Sequence, residues 1–348
     1  MTSQPRLLAI ATAVPKHVLG QADVSERARH VFGTAGVADL DRMVAVFGNT
    51  GIATRYSAVP VEWYERPHGW AERNALYLEH ALDLIAEAAR KCLQRADLDA
   101  REIDAVVTVS TTGIATPSLD AVLMGRLKLR PDIRRLPVFG LGCAGGVLGL
   151  ARAADLARAT PTARILFLVV ELCALCFRRD DFSKSNLVAT ALFGDGATAC
   201  VISCRGDGAA LAAGGEFTWP NSLDIMGWDV AEDGLKAIFS RDIPALVRRD
   251  LRAATERFLE DHGLALGDIR HFVCHPGGAK VIEALEEAFV LGPRALDAAR
   301  SVLHDYGNMS SATVMFVLER MLAGGARGLM LMTALGPGFT AGFQLLHA

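Results

Sequence analysis

The sequence predicts an α/β protein built from two related halves. Three observations support this: β-branched strand segments alternate with helical segments, the alternation recurs at a nearly constant spacing, and 348 residues are enough for two such units. The composition is 51% hydrophobic and 22% charged, which is typical of a globular protein with a large core.

The first half alternates helices and strands along the chain. Apolar residues with helical spacing predict helices over 75–96 and 145–159. Runs of β-branched residues bounded by turn residues predict strands over 103–112, 163–172 and 197–203. Because helices separate the strands, the chain belongs to the α/β class.

The second half repeats these units in the same order. Three pairs of segments are related by offsets of 166, 165 and 163 residues: 103–112 with 269–278, Leu141 onward with Tyr306 onward, and Ala163 onward with Ala326 onward. The join lies near 204–215, which divides the chain into halves 1–205 and 206–348. If a pseudo-twofold axis relates the halves, the two corresponding helix starts face one central site.

Charge and hydropathy exclude several classes of function. The net charge of −3 and the absence of basic runs argue against nucleic-acid binding. The apolar stretch 165–177 is too short to span a bilayer and is interrupted by Glu171. The N-terminus lacks the pattern of a secretory signal, so we expect a cytoplasmic protein without a membrane span.

Seven cysteines, an odd number, favour reduced thiols over a disulfide framework. Cys173 and Cys176 form a C-x-x-C pair, and Cys200 and Cys204 follow. A zinc site is one interpretation. The apolar surroundings of both pairs favour the other interpretation, in which they are small buried residues.

Cys143 lies in the glycine-rich segment GLGCAGGVLG, directly before a predicted helix. Unpaired N–H groups and the dipole at a helix N-terminus stabilise a thiolate. Glycines allow a tight turn and close approach of a substrate. The alternative is close helix packing around an inert thiol.

His275 and Asn308 are the candidate partners of this thiol. His275 follows a strand within HPGG, at a sheet edge where α/β proteins bind ligands. Asn308, in YGNMSSA, corresponds to Cys143 at the 165-residue offset, although an asparagine there could also be a helix N-cap. Together the three residues form a set suited to acyl transfer: nucleophile, base and oxyanion donor. Papain-like proteases use the same three residue types in this order, but GCAGG does not match their cysteine signature.

Five segments in the same order resemble the type III polyketide synthases, the relatives of chalcone synthase. They are GCAGG around Cys143, ALFGDGA at 191–197, HPGG at His275, YGNMSSA around Asn308 and GPGF at 336–339. Ketoacyl synthases of type III usually carry HQAN at the histidine instead. The resemblance implies a thiolase-like αβαβα five-layered fold from two pseudo-symmetric halves, and a homodimer.

The resemblance also implies a mechanism. Cys143 would accept a starter acyl group from acyl-CoA, while His275 and Asn308 would bind malonyl-CoA and stabilise the enolate left after loss of CO2. The enolate would attack the Cys143 thioester, the step would repeat, and the product would cyclise. This chemistry needs no metal, cofactor or acyl carrier.

The same resemblance assigns residues to the walls of the site. Phe193 would lie between the coenzyme A tunnel and the cavity, and the GPG loop would shape the cavity. The other expected substrate-binding residues, with that loop, are Cys173, Cys176, Thr116, Trp228, Ala237, Gly336, Pro337 and Gly338; Thr116 falls near a position that plant enzymes reach across the dimer. The expected coenzyme A contacts are Arg42, Lys280, Gly277 and Gly278, although Ala45 and Asn49 replace expected basic residues.

Residues 226–244 resemble the bacterial alkylresorcinol and alkylpyrone synthases. Ala237 stands where plant enzymes carry an aromatic residue, which would widen the cavity and suit a fatty acyl starter. Two alternatives stay open: a ketoacyl synthase III-like enzyme that condenses once, and a catalytically silent acyl-CoA-binding relative. The intact set of Cys143, His275 and Asn308 argues against a silent protein, because a binding module needs no nucleophile.

Overall fold

The computed structural model describes residues 4–33 and 40–348, without the side chains of 40–43. The strands are β1 (Arg6–Ala13), β2 (His17–Gly20), β3 (Thr54–Ser57), β4 (Ala105–Val109), β5 (Arg134–Val138), β6 (Arg164–Leu172), β7 (Asp195–Ser203), β8 (Ala209–Thr218), β9 (Met226–Ala231), β10 (Gly234–Phe239), β11 (His271–Cys274), β12 (Leu329–Gly336) and β13 (Thr340–His347).

The helices, in chain order, are α1 (Gln21–Gly33), α2 (Leu40–Gly48), α3 (Trp70–Arg95), α4 (Leu119–Leu127), α5 (Gly145–Ala159), α6 (Lys184–Leu192), α7 (Ile243–Leu246), α8 (Arg252–Glu260), α9 (Ala279–Phe289), α10 (Asp297–Tyr306) and α11 (Ser311–Ala323). Short 3₁₀ helices cover Val61–Glu65, Ala100–Glu102, Gly142–Ala144, Cys173–Cys176 and Leu266–Asp268, and a π-helical turn, Val247–Leu251, joins α7 to α8.

One mixed sheet of nine strands has the order β11-β12-β13-β8-β1-β7-β6-β4-β5. Outward from the junction of β1 and β8, one half runs β1-β7-β6-β4 and the other β8-β13-β12-β11. The pairing is equivalent in both: β4 with β6 and β11 with β12 are parallel, whereas β6 with β7 and β12 with β13 are antiparallel. The sheet thus repeats the order of the sequence repeat, and the predicted α/β class is confirmed.

Helices α5 and α11 form the central layer, in contact with each other and with strands of both halves. Ten of the fifteen residues of α5 and all residues in the first two turns of α11 are buried, because sheet covers these helices on both sides. Their contact is close: a Cβ on Gly146 would lie 2.3 Å from the carbonyl oxygen of Ser311. Glycine at 146 is therefore required for the two helices to approach.

Outer helices cover the remaining faces of the two half-sheets. The 26-residue α3 packs on β1, β6 and β7, and it buries residues at helical spacing along one face. On the other half, Phe258 of α8 stacks on Phe343 of β13 with ring centroids 5.1 Å apart. The result is the alternation of helix and sheet layers that the resemblance implied.

Most predicted elements are confirmed, and the differences lie at strand ends near the centre of the molecule. The segment 103–112 leaves the strand after Val109, and 269–278 is a strand only over His271–Cys274. The helix expected to start at Asn308 begins at Ser311. Polar groups of these end segments take part in bonds at the site described below: the Thr111 N–H donates to Glu171, and the Gly277 carbonyl accepts from Asn308. Within the described residues, no helix combines the length and apolarity needed to cross a membrane.

Candidate active site

Cys143, His275 and Asn308 line one cavity of about 360 Å³ between the two halves. Each follows or precedes a secondary-structure element of the central region: Cys143 precedes α5, His275 follows β11, and Asn308 precedes α11. The fold thus brings together three residues separated by up to 165 positions in the sequence. All three are buried, with 8%, 5% and 2% of their surface exposed.

A tight turn fixes the position of Cys143. Gly142 has φ of +46°, and a Cβ there would lie 2.6 Å from Cδ of Pro337, so only glycine fits. The Gly142 amide donates to Oγ1 of Thr111 (3.2 Å). The tight turn expected from the sequence is therefore present, but Gly145 and Gly146 serve helix packing rather than approach of a substrate.

The electrostatics of Cys143 differ from the thiolate that its place before a helix led us to expect. Burial raises the pKa of the Cys143 thiol to about 12, the nearby Glu171 adds to the rise, and a hydrogen bond with Ser310 opposes it. Desolvation is the largest influence on this pKa, so we expect the protonated thiol at neutral pH in the absence of substrate. A thiolate requires transfer of its proton to a base in the same cavity.

His275 is suited to receive that proton. Burial lowers the pKa of its imidazole to about 4, so the ring is neutral. Its backbone N–H donates to the carbonyl of Thr333 (2.9 Å), which fixes the residue at the end of β11. Neither ring nitrogen has a hydrogen-bond partner among the described residues, although both are buried. Both nitrogens are therefore available to a thiol or a substrate.

The amide of Asn308 is held in one orientation. Its Nδ2 donates to the carbonyl of Gly277 (3.1 Å), and its Oδ1 accepts from the N–H of Ser310 (2.8 Å). Since a carboxamide nitrogen carries two protons, one N–H is left for an oxyanion. Asn308 is not the helix N-cap; that position belongs to Ser310, which has the strained backbone angles φ +48° and ψ −128°.

Glu171 joins the surroundings of Cys143 to those of Asn308. Its carboxylate accepts from the N–H of Thr111 (3.0 Å), the hydroxyl of Thr112 (2.9 Å) and the hydroxyl of Ser311 (2.5 Å). The side chain is fully buried, and desolvation raises its pKa to about 7 in spite of these bonds. A glutamate within an apolar strand is rare, so the sequence did contain a sign that Glu171 has a specific role. From the sequence we used Glu171 only as the charged residue that interrupts the apolar stretch 165–177.

A buried arginine holds the backbone that carries Phe193. The guanidinium of Arg55 donates to the carbonyls of Phe193 (3.0 Å), Ala191 (2.8 Å) and Thr190 (2.6 Å). On the other side, the Asn308 N–H donates to the Leu192 carbonyl (2.8 Å), and the Gly194 N–H donates to the Asn308 carbonyl (3.0 Å). Arg55 therefore supports both Phe193 and the backbone of Asn308.

Every charged residue that lines the cavity in the described part of the chain is basic: Lys184, Arg241 and Lys280. All three are exposed and belong to α6, the loop after β10, and α9. None forms an ion pair with a described acidic residue. Lys280 was expected from the sequence; Lys184 and Arg241 were not, because nothing in the sequence places them near Cys143.

A second, narrower cavity of about 70 Å³ lies behind Phe193. Phe239 lines the first cavity and Phe193 the second, with ring centroids 5.7 Å apart, so these rings form the wall between the cavities. The expected substrate contacts Cys173, Cys176, Trp228 and Ala237 all line the second cavity rather than the one that contains Cys143.

The remaining expected residues fall into three groups. Gly277 and Gly278 line the first cavity. The loop Gly336–Gly338 lines neither cavity but packs under the nucleophile turn: a Cβ on Gly336 would lie 2.4 Å from the Leu141 carbonyl. Thr116 is exposed and also lines neither cavity of this chain. The side chain of Arg42 lies outside the described residues.

The cysteines of the alternative zinc interpretation are dispersed. Cys173 is buried beside the second cavity, Cys200 is buried within β7, and the Cys204 thiol contacts the carbonyl of Ala157 at 3.3 Å. Residues 4–33 and 44–348 contain no group of three or more His, Cys, Asp or Glu side chains arranged to hold a metal ion.

Comparison with known proteins identifies related chains. Models of the chalcone and stilbene synthases match over nearly the whole sequence, the N-terminal domain at residues 2–206 and the C-terminal domain at 211–348. A putative chalcone synthase of Bacillus subtilis is 40% identical over 96% of both chains. A 1,3,6,8-tetrahydroxynaphthalene synthase of Streptomyces peucetius is 39% identical over 97% of this chain and 92% of its own.

A solved structure shows the same fold. The 1,3,6,8-tetrahydroxynaphthalene synthase of Streptomyces coelicolor, a bacterial type III polyketide synthase, superposes with a TM-score of 0.94 at 30% identity, covering 98% of this chain and 99% of its own. The thiolase-like arrangement expected from the sequence is therefore confirmed.

Proposed function

The chain belongs to the chalcone and stilbene synthase family, the type III polyketide synthases, and we propose that it condenses malonyl-CoA repeatedly onto a fatty acyl starter held on Cys143. The product is an alkylpyrone or alkylresorcinol. The observation that carries the proposal is one buried cavity in which a thiol, an unpartnered imidazole and a fixed amide meet, bordered by cations and by an apolar second cavity.

The first step is acylation of Cys143. The imidazole of His275 takes the thiol proton, and the thiolate attacks the carbonyl carbon of acyl-CoA. A new S–C bond forms, and the coenzyme A sulfur leaves and takes up the proton from His275. Because burial opposes both charged forms, the ion pair exists only when a substrate consumes it.

The second step is decarboxylation of malonyl-CoA. Its thioester oxygen accepts from the second Nδ2 proton of Asn308 and from the one ring N–H that His275 keeps in its neutral form. The C–C bond to the carboxylate breaks, CO2 departs, and the electron pair becomes an enolate held by these two donors. The enolate carbon then attacks the carbonyl carbon of the Cys143 thioester. A C–C bond forms, the C–S bond breaks, and Cys143 leaves as a thiolate. The acyl group, now two carbons longer, is a coenzyme A thioester, and it reacylates Cys143 with release of coenzyme A before the next round.

The basic residues at the cavity support coenzyme A thioesters as substrates. Coenzyme A carries phosphates, and Lys184, Arg241 and Lys280 can each donate to a phosphate oxygen. With no described carboxylate on the same lining, the local field attracts anions although the whole chain carries −3. These residues take the place of the basic side chains missing at Ala45 and Asn49.

The second cavity supports a fatty acyl starter. Aliphatic, aromatic and thiol side chains dominate its lining, and burying a methylene there is favourable by about 0.8 kcal/mol. Ala237 is buried beside Trp228 and Phe193, and a larger residue at 237 would occupy part of this space. An alkyl chain bound at Cys143 would pass Phe193 to enter it.

We further propose a homodimer formed through the edge that contains β5. Four large apolar side chains are exposed on β5 or on the segments next to it: Ile114, Val122, Leu136 and Phe139. An open edge strand with apolar neighbours is usually covered. Thr116, exposed on the same edge, would then face the partner. Sedimentation velocity of the parent and of Phe139→Glu tests the interface.

A product assay tests the function. Purified protein is incubated with malonyl-CoA and saturated acyl-CoA starters of increasing length, with Cys143→Ala as control, and products are identified by mass spectrometry. Cysteine-dependent triketide or tetraketide pyrones or resorcinols that carry the alkyl chain support the proposal. A single 3-ketoacyl product would indicate a one-step condensing enzyme, and bound but unconverted acyl-CoA a silent protein.

A second candidate product is 1,3,6,8-tetrahydroxynaphthalene, favoured by the names of the relatives at 39% and 30% identity. Its ten carbons correspond to five two-carbon units, so it needs no alkyl starter. The same assay without an added acyl-CoA distinguishes the two candidates. The naphthalene as the main product, unchanged by fatty acyl-CoA, would favour this second activity.

A further inference from the structure

The apolar cavity behind Phe193 extends from the centre of the molecule to its surface. At its inner end lie Phe193, Cys173 and Ala237, all buried. From there it runs between α1 and the 3₁₀ helix Val61–Glu65. Glu65 is the one exposed residue among those that line it, so the cavity meets solvent at this position.

Ion pairs cover this outer end. The guanidinium of Arg27, on α1, pairs with Glu65 through Nη1 and with Glu62 through Nη2 (2.9 Å). Arg27 also lines the cavity, so its aliphatic stem faces the apolar space while its charged head lies at the surface. The Arg27 side chain is 36% exposed, and those of Glu65 and Glu62 are 42% and 64% exposed.

We infer that this outer end is an exit for the distal part of long acyl starters, closed in this structure by Arg27 with Glu65 and Glu62. The inference rests on the proposed function, since it assigns the preference between long and short starters to these three residues. Short starters end within the cavity. Chains that are longer than the cavity displace the ion pairs and emerge between α1 and the 3₁₀ helix.

Two physical features suit this position to an exit. Exposed ion pairs contribute little to stability, so separating Arg27 from Glu65 is easy. The cavity is too narrow to fold a long chain back on itself, and each methylene that stays within the apolar lining improves binding by roughly fourfold. A long chain therefore gains more from following the cavity outward than the displaced ion pairs lose.

The test compares starter lengths in Glu65→Gln and Arg27→Gln. The ratio of kcat/KM for palmitoyl-CoA to that for octanoyl-CoA is measured in each, with palmitoyl-CoA kept below its micelle concentration. We expect either change to raise the ratio about two- to fivefold, because the exit opens without its ion pair. The matched control Arg152→Gln breaks an equally exposed pair with Glu216 on another face and leaves the ratio unchanged.

Two further measurements separate this inference from the proposed function. Val24→Trp narrows the passage from α1 and should lower the ratio by a similar factor, while octanoyl-CoA is still used. Binding of both thioesters to Cys143→Ala, measured by titration calorimetry, reports the same ratio without condensation. If no fatty starter is extended but the binding ratio follows the exit variants, only the function is wrong. Equal ratios in all variants would overturn the exit.

Discussion

The turns that carry Cys143 and Asn308 occupy equivalent places in the two halves and are built in opposite ways. Each lies directly before one of the paired central helices, α5 and α11. The Asn308 side chain is fixed by two hydrogen bonds and its backbone by two more. Cys143 is held by its backbone turn, and its thiol has hydrogen bonds with Ser310 and with its own backbone N–H. Equivalent positions in the two halves thus carry one side chain that is held firmly, Asn308, and one that is held loosely, Cys143.

The difference fits the roles proposed for the two residues, an oxyanion donor at Asn308 and a nucleophile at Cys143. An oxyanion donor stabilises charge only if it already points at the place where the charge develops, so rigidity favours Asn308. A nucleophile carries the growing chain and changes partners between steps, so few contacts favour Cys143. The two positions are exchangeable in the fold but not in the chemistry.

The largest expected effect is that of Cys143→Ala, which should separate product formation from decarboxylation. Cys143→Ala should abolish product formation, since loss of a covalent nucleophile costs on the order of 10⁶-fold in comparable enzymes. Decarboxylation of malonyl-CoA should continue, because its donors lie on the other half. Release of acetyl-CoA and of product are measured in the same samples. Loss of both activities together would show that the division between the turns is wrong.

A change at Asn308 should lower both decarboxylation and product formation. Asn308→Asp keeps the acceptor for the Ser310 N–H but replaces the donor with a carboxylate oxygen. We expect decarboxylation to fall about 10²–10³-fold, the cost of removing one oxyanion donor. Initial rates of CO2 release at saturating malonyl-CoA are the measurement, and circular dichroism is the control for folding. A rate near that of the parent would remove Asn308 from the oxyanion site.

The basic residues that line the first cavity also come from both halves: Lys184 from the first, and Arg241 and Lys280 from the second. Lys184→Ala and Arg241→Ala should each raise KM for malonyl-CoA about two- to fivefold at low salt, with kcat unchanged, since exposed charges act on binding and are screened. Steady-state kinetics at two salt concentrations check this. Lys128→Ala, an exposed lysine outside the cavity, is the control. An effect on kcat alone would contradict the binding role.

The last prediction concerns stability rather than rate, at Glu171, which bonds to both turns. Its pKa is raised to about 7 from an ordinary value of 4.5, so the folded protein holds an extra proton between these pH values. Its contribution to stability is therefore present below pH 4.5 and is lost as the pH rises toward 7. Glu171→Gln removes this loss, and we expect its free energy of unfolding to gain roughly 1–3 kcal/mol relative to the parent between pH 5 and pH 8.

Urea unfolding at several pH values measures this difference. Two other buried groups also make stability depend on pH. Burial raises the pKa of Asp195 to about 7, which acts in the same direction as Glu171, and lowers the pKa of His275 to about 4, which acts in the opposite direction. Both groups are present in the parent and in the variant. The difference between parent and variant therefore isolates Glu171. A difference that stays constant with pH would mean that Glu171 is ionised throughout this range.

The sequence predicted the layers and the three central residues because their signals are local. Cys143, His275 and Asn308 each lie in a distinctive short segment, and the repeat related two of them. Glu171, Arg55, Lys184 and Arg241 carry no such signal. Their roles depend on contacts between residues far apart in the chain, such as Arg55 with the carbonyl of Phe193, 138 positions away.

The pKa of Cys143 was the second property that the sequence did not predict. The sequence indicated a thiolate at Cys143 because a helix start favours an anion. The extent of burial, which has the opposite and larger effect on the pKa of this thiol, is a property of the packed structure.

The parallel bridge between Phe193 and Asn308 has a consequence for engineering this protein. The ring that separates the two cavities and the amide proposed to hold the enolate oxygen are attached to adjoining, hydrogen-bonded backbone. A substitution at 193 that reshapes the cavity also shifts the donor. Product range and turnover rate are therefore not independent design variables at this position, and a library aimed at new starters should vary Ala237 or Trp228 before it varies Phe193.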